Sequence, residues 1–336
     1  MGVVAANGVG CRDFADALRS ARSGIAHIAR MRELGFGSHV GGIPDRARVA
    51  EVFERDIPES RRVAMDSGMI YGLLAAREAW QEAGLEVPSP MGDDVHDETG
   101  AIIATGMGGL DAYTHKVIPS LLEGKGTRRL GSTMAEQVMV SSVSAVIGGH
   151  FALGAGVMTN SSACCSGTEA VIEGLERIRS GRARRMIVGG AESSCVEGWS
   201  GFDAMRVLSR AFNDTPEKAS RPMSATAAGF VPSSGAGMLI LEDLELALTR
   251  RAPIFAEVVG GATTCGGQRR GGSMTAPSPD GVRRCVRQAL LDGGVRPREI
   301  DYINGHLTST MGDVLEMRSW SAALEIPMGR LPWVNS

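Results

Sequence analysis

The run richest in chemistry is Ser162-Ala163-Cys164-Cys165-Ser166-Gly167, which follows the β-favouring stretch Val157-Met158-Thr159-Asn160 and leads into a helical pattern. Val171, Leu175 and Ile178 recur at i, i+4 and i+7, and Gly181 is placed to stop that helix before the apolar run Met186-Ile187-Val188. The strand is expected to run up to Cys164. A thiol at a helix start is favoured as thiolate by the free amides and by the positive end of the macrodipole. Because an ordinary thiol is barely ionised near neutral pH, any downward shift multiplies the reactive species. Cys164 is therefore the candidate nucleophile. Its small neighbours leave room for a substrate to approach closely, and Gly167 allows tight backbone packing. Cys165 points about 100° away and is read as packing.

The elements around this run alternate. Helix patterns cover Met69 to Gly84, with Ile70, Leu73, Leu74, Trp80 and Ala83 near one face, and Val282 to Leu291. Apolar strand candidates are 101–104, 238–241, 255–259 and 300–303. This alternation predicts an α/β protein. One strand leads to Cys164 and another to His306, which suggests two related halves.

Composition narrows the class. Forty-five glycines in 336 residues is about twice the usual share and suits an enzyme with many tight strand-to-helix turns. A net charge of −3 excludes a generally basic nucleic-acid binder. No apolar run reaches transmembrane length, so no membrane partner is expected. The cysteines, Cys11, Cys164, Cys165, Cys195, Cys265 and Cys285, show no framework spacing and follow no secretory signal, which points to the cytoplasm. With no His-Glu-x-x-His and no paired Cys-x-x-Cys, no metal site is expected. Gly106-Met107-Gly108-Gly109 lacks the third glycine of a nucleotide loop and is read as a turn lining the substrate pocket.

Ser162-Ala163-Cys164-Cys165-Ser166-Gly167 resembles the active-site motif of β-ketoacyl-[acyl carrier protein] synthases, usually Ser/Thr-Ala-Cys-Ala-Thr/Ser-Gly. Further stretches resemble the same family in the same order. They are Gly189-Gly190-Ala191-Glu192, then 202–209, then 213–222, and finally Asn304-Gly305-His306-Leu307-Thr308-Ser309-Thr310, similar to Asn-Ala-His-Gly-Thr-Ser-Thr. The resemblance implies a thiolase-like fold of two related halves in an α-β-α-β-α layered arrangement, here 1–247 carrying the nucleophile and 253–336. It implies a decarboxylating condensation of acyl and malonyl thioesters, in fatty-acid or polyketide synthesis, with no cofactor.

By the same resemblance Cys164 and His306 are catalytic, Thr308 and Thr310 hold the substrate's pantetheine arm, and Asp313 and Glu316 support them. His27, His39, His96, His115 and His150 match no such motif and are read as structural. Acyl carrier protein is the implied partner, with Arg61, Arg62, Lys125, Arg128 and Arg129 as docking cations, and a homodimer is implied through the strand before the nucleophile.

Departures from the pattern set further expectations. The chain opens at Met1-Gly2-Val3-Val4, read as already inside the first loop with the family's first strand missing. The family's Lys motif, second Gly-His and glycine-rich loop lie beyond the pattern reached at Ser336, so the second half is expected to be incomplete and the 336 residues to fall short of condensation. Leu307 replaces a glycine and is expected to strain the backbone if φ > 0 is required. Ser224-Ala225-Thr226-Ala227-Ala228-Gly229 replaces an Asp-x-x-Arg-Asp-Gly pattern, and Ser234 a frequent glutamate. A diverged, non-condensing relative that binds carrier or sets chain length is the alternative.

Overall fold

The computed structural model describes the chain apart from Val63, 267–274, Pro277 and the side chain of Arg61. The strands and longer helices are β1 (Gly2–Ala5), β2 (Gly8–Val9), α1 (Cys11–Arg19), β3 (Ile25–His27), β4 (Val40–Gly42), α2 (Arg46–Asp56), α3 (Ser67–Glu82), β5 (Thr99–Ala104), α4 (Ser142–His150), β6 (Val157–Asn160), α5 (Ser166–Arg179), β7 (Arg185–Glu192), β8 (Gly235–Glu242), α6 (Pro279–Asp292), β9 (Tyr302–Asn304), α7 (Gly312–Leu324) and β10 (Trp333–Asn335). They fall into two compact units. The first holds Met1–Gly35, Gly41–Gly201 and Pro232–Phe255, and the second Phe36–Val40, Phe202–Val231 and Ala256–Ser336.

The first unit is built on a mixed sheet of order β2-β1-β8-β7-β5-β6. Strand β5 runs parallel to both β6 and β7, whereas β7 with β8 and β8 with β1 are antiparallel. All of β5 is buried, as a central strand covered on both faces must be. Contrary to the expectation of an opening loop, residues 2–5 form a strand. Val3 and Val4 are β-branched, and the ladder pairs Gly2 with Met238 and Val4 with Ala236, so the segment gains partners and buries Val4.

Helix α3 also differs from its sequence reading. Tyr71, Leu73, Leu74, Ala75, Ala76, Ala79 and Trp80 are all buried, because the helix lies against β1, β7, β8 and α4 rather than presenting a single apolar stripe. The Asp66 carboxylate caps its start by accepting the Met69 amide at 2.8 Å.

Two features fix the β7–β8 pairing beneath the nucleophile helix. A Cβ on Gly189 would stand 2.0 Å from the Gly237 carbonyl oxygen, so this motif position admits only glycine. At the other end Glu242 bonds both Arg185, at 2.5 Å, and Arg250, at 2.6 Å. Burial opposes ionisation of Glu242, but Arg250 and Arg185 together hold its carboxyl below the usual range.

In the second unit α6 packs against α7, and β9 runs parallel to β10 in the register Trp333 to Tyr302. The strand expected over 300–303 lies at 302–304. The strand expected over 255–259 does not form. Phe255 is 65% exposed and finds no ladder partner, so β-favouring residue types alone do not order it.

Candidate active site

Strand β6 ends at Asn160, paired with Ala104, four residues short of Cys164. Ser161 and Ser162 lead into a 3₁₀ turn, Ala163–Cys165, and α5 begins at Ser166. Ala163 has φ +55°, a left-handed conformation that costs a non-glycine residue about 1–3 kcal/mol and needs support. Ser166 supplies it, its Oγ accepting the Ser162 amide at 2.7 Å and donating to the Ala163 carbonyl at 2.6 Å. Asn160 Nδ2 in turn donates to the Ser166 carbonyl at 3.0 Å. The turn places Cys164, which is exposed, on a cleft of about 440 Å³ lined also by Ala104, Thr105, Gly167, Glu192 and Ser234.

Cys165 is not a packing residue: it too is exposed, since α5 has not yet begun where the thiol emerges. Its Sγ donates to the Ser162 carbonyl at 3.0 Å and lies 3.5 Å from Glu169 Oε1. Partial burial and the neighbouring Glu169 carboxylate push this thiol up. With a carboxylate beside it, Cys165 is a poorer source of thiolate than an ordinary cysteine.

Glu192, at the end of β7, is a cleft residue to which the sequence reading gave no role. Its carboxylate accepts the Gly106 amide, the Met107 amide at 3.3 Å and Thr105 Oγ1 at 3.3 Å. Burial pushes the carboxyl up, and the two amides oppose that shift. The glycine loop after β5 is thus hung on Glu192 from its first residues. The signals in the sequence were its place in the family-like stretch Gly189-Gly190-Ala191-Glu192 and an acidic residue closing the uncharged run 186–191.

The second unit brings together the other predicted residues. His306 is exposed, and its amide donates to Glu316 Oε1 at 2.8 Å, while the Leu307 amide donates to Glu316 Oε2 at 3.0 Å. Asp313, buried, accepts the Thr308 amide at 2.8 Å and the Met223 amide at 3.3 Å. The Thr308 and Thr310 hydroxyls are 3.1 Å apart. Asp313 and Glu316 thus brace the backbone that carries His306, Thr308 and Thr310.

Leu307 does not take φ > 0, so the expected strain is absent; the left-handed residue is Ser309, at +62°. Ser309 is held on both sides, its Oγ accepting the Arg221 amide at 2.8 Å and its carbonyl the Gly229 amide at 2.9 Å. Leu307 is 3% exposed, and a Cβ on Gly305 would meet the Trp320 ring at 2.4 Å and Leu307 Cγ at 3.0 Å. Glycine at 305 and leucine at 307 are therefore one packing arrangement with Trp320. Ser234, also buried, shares a 3.0 Å hydrogen bond with Ser194.

The candidate docking cations divide. Arg128 and Arg129 are exposed on the turn Thr127–Arg129, and Lys125 pairs with Glu123. Arg62 instead spends its guanidinium on the Ile57 and Glu54 carbonyls, which takes it out of a free basic surface. The Arg61 side chain lies outside the described residues. No helix among the described residues is long and apolar enough to cross a membrane.

Comparison with known proteins assigns the chain to two family profiles: beta-ketoacyl synthase, N-terminal domain, over residues 1–247, and beta-ketoacyl synthase, C-terminal domain, over 255–330. It is 34% identical over 319 residues to 3-oxoacyl-[acyl-carrier-protein] synthase 1 of Escherichia coli K12, covering 94% of this chain and 74% of that protein. A type II polyketide ketosynthase solved in complex with its acyl-carrier protein superposes with a TM-score of 0.81 at 27% identity, over 96% of this chain and 76% of that one. The ishigamide ketosynthase/chain length factor superposes with a TM-score of 0.80 at 29% identity, over 99% and 77%. The fold is that of these ketosynthases, thiolase-like and α/β.

Proposed function

The chain belongs to the β-ketoacyl synthase family, and from that premise we propose that it is a 3-oxoacyl-[acyl carrier protein] synthase of fatty-acid or polyketide synthesis. Cys164, exposed on the turn before α5 and on a cleft lined by small residues, is the observation that carries this reading. Its thiolate attacks the carbonyl of an acyl-carrier thioester, the carrier thiol leaves, and the acyl group stays on Sγ. The developing oxyanion needs preorganised donors, which amides of the turn 163–165 supply. Malonyl-carrier then loses carbon dioxide, and the resulting carbanion forms a carbon–carbon bond to the Cys164 acyl carbon and releases Cys164 as thiolate. His306 donates to the malonyl thioester oxygen during that loss, which suits an imidazole on a braced backbone.

Thr308 and Thr310 hold the pantetheine arm, and Asp313 and Glu316 act through the backbone they fix. The partner is an acidic acyl carrier protein, met by Arg128 and Arg129 with Lys125. Strand β6, at the edge of its sheet, is the surface for a homodimer, and the setting is the cytoplasm. Residues 1–247 and 253–336 form the two halves.

The test is to incubate the protein with acyl- and malonyl-carrier and follow β-ketoacyl-carrier by mass spectrometry. Product that depends on Cys164 supports the reading, and acylation without product favours a second one. That second reading, a carrier-binding or chain-length partner, draws on Leu307 and on the uncharged 224–229 segment, where Ser224 and Thr226 bond each other at 3.1 Å.

A further inference from the structure

Away from Cys164 the first unit gathers donors from two separate segments. Asp111 and His115 lie four residues apart, with His115 inside a single π-helical turn, Tyr113–Val117. Cys195, buried, comes from the segment after β7. The donor atoms of all three lie within 4.8 Å of one another. His115 Nε2 is 3.3 Å from Asp111 Oδ1, and Glu197 Oε2 is 3.7 Å from the same nitrogen and 4.0 Å from Cys195 Sγ. A tetrahedron with metal–N and metal–O bonds of about 2.0–2.1 Å has edges of about 3.3–3.4 Å, so the His–Asp edge already has the required length. With a metal–S bond of about 2.3 Å the sulfur edges are about 3.5 Å, so Glu197 needs to close on His115 by a few tenths of an ångström and Cys195 on the other donors by at most about 1.3 Å.

An Asp–His pair at i, i+4 is by itself an ordinary helical contact. What sets this one apart is a soft sulfur donor arriving from another element, together with braces behind the carboxylates. Ser67 Oγ donates to Asp111 Oδ2 at 2.8 Å and is itself fixed by the Ser194 amide at 2.9 Å, leaving Oδ1 turned toward His115. Arg30 binds Glu197 Oε1 at 2.8 Å, leaving Oε2 turned toward His115 and Cys195. Outer partners of this kind orient metal ligands. Three mixed N, O and S donors with a carboxylate beside them match the preference of Zn²⁺, whereas Mg²⁺ and Ca²⁺ call for oxygen alone.

We propose that Asp111, His115 and Cys195 bind one zinc ion, with Glu197 beside the fourth position, and that the ion ties the π-turn to the segment after β7. On binding, the Cys195 S–H bond breaks, its proton passes to solvent, and a sulfur–zinc bond replaces a bound water on the metal; nothing is oxidised or reduced. The Cys195 segment follows Glu192, and the π-turn lies downstream of the loop whose amides Glu192 accepts, so the ion stiffens one wall of the cleft without entering it.

Cobalt(II) is the spectroscopic probe. The chelator-treated protein, titrated with Co²⁺, is expected to show one equivalent of tetrahedral cobalt with a thiolate-to-metal charge-transfer band that Zn²⁺ bleaches, and Zn²⁺ is expected to raise the unfolding temperature. Cys195→Ser removes the band, and His115→Ala, at a half-exposed side chain that leaves the fold intact, weakens binding at least about tenfold. Cys164→Ser keeps the band, which separates this site from the nucleophile. A wild-type protein without the band, a band that survives Cys195→Ser, unchanged affinity in His115→Ala, or a band lost in Cys164→Ser would each overturn the proposal.

Discussion

The Cys164 turn and the His306 loop solve the same problem with opposite chemistry. Each carries a non-glycine residue in the left-handed region, Ala163 at φ +55° and Ser309 at φ +62°. Around Ala163 the brace is neutral, made of the Ser166 hydroxyl and the Asn160 amide. Around His306 it is anionic, made of the Glu316 and Asp313 carboxylates. Cys165 shows why the difference matters, because a carboxylate beside the turn, Glu169, helps push that thiol up. A carboxylate brace in contact with the nucleophile would do the same to it. In the His306 loop the carboxylates spend their oxygens on amides, so they stiffen the backbone on which the imidazole stands.

Substitutions on the two sides are expected to separate cleanly. The largest effect belongs to Cys164→Ala, for which acyl transfer from acyl-carrier should fall by at least about 10³-fold, since no other group takes the covalent role. His306→Ala is expected to slow malonyl-carrier decarboxylation by about 10²–10⁴-fold while acylation of Cys164, followed by intact mass, stays within a few-fold. Equal loss of both steps would erase the division of labour between the two regions.

Glu316→Ala leaves the His306 and Leu307 amides without their acceptor and should cost about 1–3 kcal/mol in chemical denaturation, with Glu316→Gln recovering part of it. Alkylation of Cys164 should be untouched by either. A smaller effect is expected at Glu169→Gln. In the wild type the raised thiol of Cys165 stays protonated to higher pH than a free cysteine; removing the carboxylate should move its iodoacetamide labelling curve to lower pH by a few-fold in rate. A curve that stays put would assign the shift to burial alone.

What the sequence revealed follows the range of each interaction. The α5 pattern and the α/β alternation were legible because they depend on local spacing, and the two loops because their residues resemble a family's motifs. Residues 2–5 were misread because their place in the sheet depends on pairing with 236–238, far along the chain. For 255–259 the error was reversed: good β residues lacked a partner. Leu307 made no sense as a lone departure, since its reason is the packing that Gly305 and Trp320 share with it. Glu192, and the approach of Cys195 to Asp111 and His115, likewise depend on tertiary placement that no spacing rule encodes.

Mapping the acyl group after incubation with acyl-carrier alone tests the central claim most directly. The protein is quenched in acid, digested, and the peptide spanning residues 157–177 is fragmented by tandem mass spectrometry. The account predicts the acyl mass on Cys164, with Cys165 carrying none in the wild type. Acylation of Cys165 in its place, or a folded protein that takes no acyl group at either cysteine, would contradict it.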